Sequence, residues 1–316
     1  MKHFLLLFVV MILFSGSAKD HGKLKYFKAE PDQGFAYPFY LFIPDDLPRG
    51  DSSWLVVEPN NTGFVSDRLR DHRKKARRTA SLDYYIGNYV AVKLKAPLLV
   101  PVFPRLESQR LMYTHSLDRD VMLQKDTPLE RIDLQLLAMA GEADDYLSGK
   151  EIPIRDRLLM TGFSASGTFV NRFTLLHPER VAAAAAGGLN GLLAFPLEAL
   201  DGVPLEYPIG TYDFEELIGK PFNPDDFRQT PQYLFMGEED TNDAIPYADG
   251  YDAPEREKIY TLLGKEMQPD RWDRCAGIYR EEGVNAVIRT IPGVGHAHPD
   301  SIKDEIVQFF RKQIQQ

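Results

Sequence analysis

The stretch Arg157-Leu-Leu-Met-Thr-Gly-Phe-Ser-Ala-Ser-Gly-Thr168 starts as an apolar run over 157–161 and turns through small residues. It then continues with helical spacing over 168–176. Strand, tight turn and helix together are the setting in which a serine is held on a strained corner with its hydroxyl exposed at a sheet edge. For the two backbones to pass so closely, the residues two before and two after the serine must be small. Gly162 and Ser166 meet that condition around Ser164. Ser166 stands where glycine is commoner and adds a second hydroxyl. Gly162 is nevertheless at the required distance from Ser164 and the strand ends just before it, so Ser164 is the candidate nucleophile. A turn of small residues with no chemical role is the plainer alternative.

On either side of this stretch, short β-branched or aromatic runs alternate with longer segments of helical spacing. Residues 35–43 and 54–58 read as early strands, and 98–103, 181–186, 232–236 and 285–291 as later ones. Most are apolar throughout, as buried parallel strands are. Segment 129–147 places Leu129, Ile132, Leu136 and Met139 at helical spacing, with Gly149 at the C-cap position. Segments 254–283 and 302–314 read as further helices. This pattern predicts an α/β fold, a mostly parallel central sheet with helices on both faces. Residues 190–230 are rich in Pro, Gly and scattered aromatics, which suggests a small cap-like insertion over a cleft rather than a second domain. Residues 19–316 then form a single domain, within the size range of α/β folds.

Composition narrows the function classes. Hydrophobic residues at 44% and charged residues at 26% provide for a sizeable core and disfavour both disorder and a polytopic membrane protein. The 37 Lys and Arg against 46 Asp and Glu, a net charge of -9, argue against nucleic acid as the main partner. The basic run 68–78 reads as a solvated helix face, because Asp67 and Asp71 interrupt it. The lone Cys275 rules out an intramolecular disulfide and a Cys-x-x-Cys site.

At the N-terminus Lys2 and His3 precede an apolar run from Phe4 to Phe14, followed by Ser15, Gly16, Ser17 and Ala18. This is the order of a secretory signal peptide over 1–18. The run rises only about 16 Å as a helix, short of a bilayer of about 30 Å. The mature chain is therefore expected in a periplasm or outside the cell, with no stable membrane insertion.

A serine hydroxyl needs a base to take its proton. Ile291-Pro-Gly-Val-Gly-His-Ala-His-Pro299 follows the last strand and offers His296, with Gly293 and Gly295 permitting a sharp turn. His298 is the local competitor, with a solvent-facing loop histidine as its plainer reading. His177 suits the end of the helix that follows Ser164, where a donor or cation is favoured. His115 lies in a loop at a sheet end, where it could line a cleft. The base in turn needs a carboxylate to hold its tautomer. Gln232-Tyr-Leu-Phe-Met-Gly-Glu-Glu-Asp-Thr-Asn-Asp243 offers Asp240, past the strand end and the Gly237 turn, ahead of Asp243. A calcium site built from Glu238, Glu239, Asp240, Asp243, Asp249 and Asp252 is the rival, though their spacing does not fit an EF-hand loop. The oxyanion needs N–H donors. Ala165 follows from the elbow, and the loop Pro59-Asn-Asn-Thr-Gly63 offers Asn61, with Asn60 and Thr62 beside it.

With these residues in place, the chain resembles the α/β-hydrolase superfamily and, more loosely, its secreted polyhydroxyalkanoate depolymerases and feruloyl esterases. Gly162-Phe-Ser-Ala-Ser-Gly167, the following Leu-His-Pro-Glu-Arg-Val181, Gly237-Glu-Glu-Asp240 and Gly295-His296 carry the likeness. The order Ser164, Asp240, His296 is the order of that superfamily. Two departures stand out. Ser166 replaces the usual glycine, and Pro59-Asn60-Asn61 stands where many relatives carry His-Gly. The resemblance implies a serine esterase that acts on small or polymeric esters without metal or organic cofactor. A serine peptidase of the same fold and a binding module that kept the fold without the chemistry are the competing expectations. No His-Glu-x-x-His or Gly-x-x-x-x-Gly-Lys motif is present to point to metal-dependent or nucleotide hydrolysis.

Overall fold

The computed structural model describes residues 21–315 except 49 and 51. The leader segment 1–18 lies outside the described residues. The strands are β1 (Gly22–Phe27), β2 (Phe39–Pro44), β3 (Val56–Val57), β4 (Leu98–Pro101), β5 (Leu158–Phe163), β6 (Val181–Gly187), β7 (Ala199–Leu200), β8 (Val203–Pro204), β9 (Gln232–Gly237) and β10 (Ala286–Ile291). The α-helices are α1 (Leu69–Ser81), α2 (Ile86–Leu94), α3 (Arg119–Met122), α4 (Ile132–Ser148), α5 (Ala165–Leu176), α6 (Phe214–Ile218), α7 (Pro224–Gln229), α8 (Ala253–Leu263), α9 (Trp272–Glu281) and α10 (Asp300–Ile314).

Eight strands form one sheet in the order β1-β2-β4-β3-β5-β6-β9-β10. From β4 through β10 all neighbours are parallel, and β1 and β2 add an antiparallel edge. Alternating side chains feed two cores. Leu158 and Met160 of β5 face one way, onto Met139 of α4, Phe169 and Phe173 of α5 and Trp272 of α9. Leu159 faces the other, onto Ala76 of α1, Val90 of α2 and Ile306 of α10. Helices thus cover both faces, which is the α/β architecture expected from the alternating pattern. The chain leaves β3 towards β4 on one side and later lays β5 on the other side. That reversal of direction opens a crevice at the carboxyl ends of β3 and β5.

Several boundaries differ from the expectation. Strand β1 was not anticipated, because GKLKYF carries two lysines and lies on the sheet edge. Phe35 belongs to a turn and pairs only with Glu30, so β2 begins at Phe39. The expected helix 254–283 is two helices. Gly264 closes α8, and Gln268, extended at φ -123° and ψ 134°, breaks the path to α9. Pro269 disfavours helical geometry in the residue before it, which accounts for the break. Within 190–230, the side chains of Phe195, Tyr207, Phe214 and Phe227 pack into the larger core.

Candidate active site

Ser164 terminates β5 and sits immediately ahead of α5, at φ 61° and ψ -131°. A non-glycine residue there stores about 1–3 kcal/mol of backbone strain. Its surroundings leave little room for relaxation. A methyl added at Gly162 would lie 2.4 Å from Ser166 O, so only glycine fits where strand and helix cross. Ser164 N–H donates to Gly187 O of β6 at 2.8 Å. The two serines are separated by their partners. Ser166 is buried and its hydroxyl is occupied with Phe163, donating to its carbonyl at 2.8 Å and accepting its N–H at 3.0 Å. Ser164 lines an open pocket. The N–H of Ala165 lies in the first turn of α5, where unpaired donors and the helix dipole favour a negative charge.

His296 reaches the elbow from the loop after β10. Its ring lies 4.7 Å, centroid to centroid, from Phe163, and a methyl at Gly188, the residue after β6, would come within 2.9 Å of its Cε1. His296 Nδ1 is 2.8 Å from Asp240 Oδ2 in the loop after β9. A carboxylate only accepts, so Nδ1 carries the proton and Nε2 presents a lone pair. Asp240 is buried while His296 keeps 28% of its side chain exposed. Asn242, two residues past Asp240, donates its backbone N–H to Asp240 Oδ1 at 2.8 Å and brings Nδ2 within 3.4 Å of His296 Nε2. One short loop therefore addresses both ring nitrogens.

The loop after β3 is braced from below. Asn60 is fully buried and clamps Phe103, accepting its N–H and donating to its carbonyl, each at 2.9 Å. His115 Nε2–H donates to the same carbonyl at 2.8 Å, while its Nδ1 accepts the Thr62 N–H at 3.4 Å. His72 takes the Thr62 hydroxyl on Nδ1 at 3.1 Å and donates from Nε2 to Ser66 O at 2.8 Å. Burial pushes the His115 imidazole down to about 3 and lowers that of His72, so both are neutral supports. Asn60 and Thr62 are thus consumed by the brace. Asn61 stands partly exposed at the crevice, its side-chain amide 3.4 Å from Phe163 O of the elbow. Just before the loop, burial pushes the Glu58 carboxyl up to about 8, despite the Gly87 N–H it accepts at 2.6 Å.

Other candidates are placed elsewhere. His115 lies under the β3 loop and lines no cleft, since it is 1% exposed and packed among Asn60, His72 and Tyr113. His177 occupies the C-cap position of α5, but its side chain bonds Asp133 of α4 at 2.8 Å rather than the helix carbonyls. His298 is not a solvent-facing loop residue. It packs between Phe163 and Tyr84, at 4.9 and 5.1 Å between ring centroids. The acidic cluster is dispersed. Asp240 bonds His296, Asp243 pairs with Arg271 at 2.6 Å, Asp249 pairs with Arg105, and Asp252 caps α8. Among the described residues no group of three or more His, Cys, Asp or Glu is gathered to hold a metal ion. Arg105, His72 and Asn242 carry no local sequence signal and emerge only from the fold.

No protein-family model and no curated protein matches the sequence. Solved structures do match. Poly(aspartic acid) hydrolase-1 from Sphingomonas sp. KT-1 superposes with a TM-score of 0.59 at 16% identity, over 94% of this chain and 100% of that one. LpqC, a poly(3-hydroxybutyrate) depolymerase from Bordetella parapertussis, gives 0.53 at 17% identity, over 92% and 90%. An S-formylglutathione hydrolase from Agrobacterium tumefaciens gives 0.50 at 12%, over 94% and 96%. At such identities the likeness concerns the fold.

Proposed function

We propose that this chain, whose fold is that of the α/β-hydrolases, is an exported serine hydrolase acting on carboxylic esters through Ser164, His296 and Asp240. The observation that carries the reading is the 2.8 Å bond from His296 Nδ1 to Asp240, on a ring packed against the strained elbow of Ser164. Ser164 Oγ attacks the ester carbonyl carbon while His296 Nε2 takes its proton, and Asp240 stabilises the imidazolium. The oxyanion accepts the main-chain N–H groups of Ala165 and Asn61, each worth on the order of 10² to 10³ in rate. Nε2 returns the proton to the alkoxide, the alcohol leaves, and an acyl-Ser164 ester remains. Water repeats the sequence and releases the acid. Side chains, main-chain N–H groups and water carry every step of this scheme.

Export rests on the leader over 1–18. No helix among the described residues is long and apolar enough to cross a membrane, which is compatible with that reading. Amide hydrolysis is the second reading. It draws on the neighbour named for poly(aspartic acid), a polymer joined by amide bonds.

The test is labelling with a fluorophosphonate probe together with turnover of a short-chain aryl ester, assayed beside a matched anilide. Ser164→Ala should abolish labelling and lower kcat by about 10⁶. Undiminished turnover in that variant refutes the mechanism. Absence of both labelling and turnover in the wild-type chain favours a binding module.

A further inference from the structure

The pocket bordered by Ser164 has a volume of about 170 Å³ and contains one cation among its lining residues, Arg105. Ser116, Thr168, Asn190 and Asn242 border it beside Tyr113, Tyr247 and Tyr251, so polar and apolar surface share the wall about equally.

Arg105 is 9% exposed. Its guanidinium carbon lies 3.8 Å from the centroid of the Tyr113 ring, which fixes the plane of the group. Nη2 donates to the Asp249 carboxylate, but the buried Nε–H has no acceptor. Leaving a buried donor unpaired is costly, and more so on a charged group. Nε and Nη2 form one edge of the guanidinium fork, and a carboxylate matches both together. Asp249 uses only half of that edge. Its side chain is 31% exposed and sits on the irregular segment between β9 and α8, so it can move outward into solvent. The second carboxylate of the pocket, Asp243, is already committed to Arg271.

Building on the ester-hydrolase reading, we propose that Arg105 anchors a carboxylate carried by the substrate, so the preferred esters are those of acids bearing a second, free carboxylate. The substrate carboxylate takes Nε–H and Nη2–H together and displaces Asp249. A neutral substrate leaves Nε unpaired.

The experiment compares monoethyl succinate, glutarate and adipate with the ethyl esters of the corresponding monoamides, followed by alkali uptake at constant pH. For at least one chain length the wild-type kcat/KM should favour the carboxylate by roughly 10- to 100-fold, the range for hydrogen bonds to charged groups. Arg105→Gln should bring that ratio to about one, judged on the ratio and not on absolute rate. Asp249→Asn removes the competing anion and should raise it. Should Arg105→Gln not fold, Asp249→Asn and competitive inhibition of the wild type by free succinate against succinamate decide. A wild-type ratio at or below one for every length, a ratio that survives Arg105→Gln, or a fall in Asp249→Asn overturns the proposal while leaving ester hydrolysis intact. Loss of turnover on neutral and charged esters alike refutes the hydrolase reading and this inference with it.

Discussion

Replacing Asn60 by alanine isolates the brace beneath the β3 loop. The Asn60 side chain is fully buried and bonds both main-chain groups of Phe103. After truncation the Phe103 carbonyl still has the His115 Nε2–H at 2.8 Å, whereas the Phe103 N–H loses its acceptor. One buried orphan donor costs about 1–3 kcal/mol. The vacated volume adds to this, unless a water molecule enters and bonds the freed N–H. The expected loss is therefore about 2–4 kcal/mol, read as a lower urea midpoint at unchanged m-value. Asn61 is the next residue, and a shift of the loop would move its N–H away from the position proposed for the oxyanion. A fall in kcat of about 10², with KM little changed, should accompany the loss of stability, since one misplaced donor costs on that order. Asn60→Asp tests the geometry further. It keeps an acceptor for the N–H but sets an anion against the Phe103 carbonyl, so it should be more destabilising at pH 7 than at pH 4. A loss below about 0.5 kcal/mol in Asn60→Ala, with kcat unaltered, would refute the idea that these bonds hold the loop.

Three further outcomes are expected. Asp240→Asn should retain the fold and lower kcat by about 10⁴, because the imidazole then settles in the wrong tautomer; a loss under tenfold would remove Asp240 from the catalytic set. Glu58 holds its proton up to about 8 in the folded chain against an ordinary 4.5, so between those values the folded state carries a proton that the unfolded state has released. Wild-type stability should accordingly fall as pH rises through that window, and Glu58→Gln, which has no proton to lose, should gain relative to the wild type from pH 4.5 to 8 in parallel urea titrations. Parallel pH profiles would contradict it. Cys275 is buried in α9 and burial pushes its thiol up to about 12, so aromatic disulfide reagents should label it only as fast as the protein opens. Rapid labelling of native protein at pH 8 would show that this helix is accessible.

The architecture was legible wherever local chemistry and global packing agree. The elbow announces itself because the crossing of β5 and α5 demands Gly162, and the His296 loop because Gly293 and Gly295 lead into it. Strand β6 was readable although alanine favours helices, because its length and its bounding segments suit a strand covered on both faces. Where the determining contact is remote, the sequence is silent. Arg105 and Asp249 are 144 positions apart, and nothing near either residue foretells their pairing. His72 sits in a run of arginines and lysines and reads as part of a solvated face. Its burial follows from its contacts with Thr62, Ser66 and the His115 ring.

Two His–Asp pairs of equal length show what separates a structural pair from a chemical one. His177–Asp133 and His296–Asp240 both measure 2.8 Å, so the bond itself does not choose between them. The difference lies at the other ends. Asp133 is shared with Arg131, which donates from two nitrogens at 2.8 and 3.0 Å, and His177 is only 3% exposed, with Glu179 at 3.6 Å from its Nδ1. That imidazole is enclosed by charge partners and has no hydroxyl to deprotonate. The ring of His296 gives one nitrogen to a carboxylate that, among the described residues, pairs with no arginine, and turns the other towards Asn242, beside the elbow of Ser164. Asp133 is thereby part of a structural ion-pair cluster, whereas Asp240 gives one oxygen to the imidazole and the other to the Asn242 N–H, leaving the far nitrogen of His296 facing Asn242. The β9 and β10 loops meet at the carboxyl edge of parallel strands, the same edge at which the elbow of Ser164 ends β5. His177 follows α5 at the opposite end of the sheet, just ahead of β6, where the parallel arrangement brings no nucleophile.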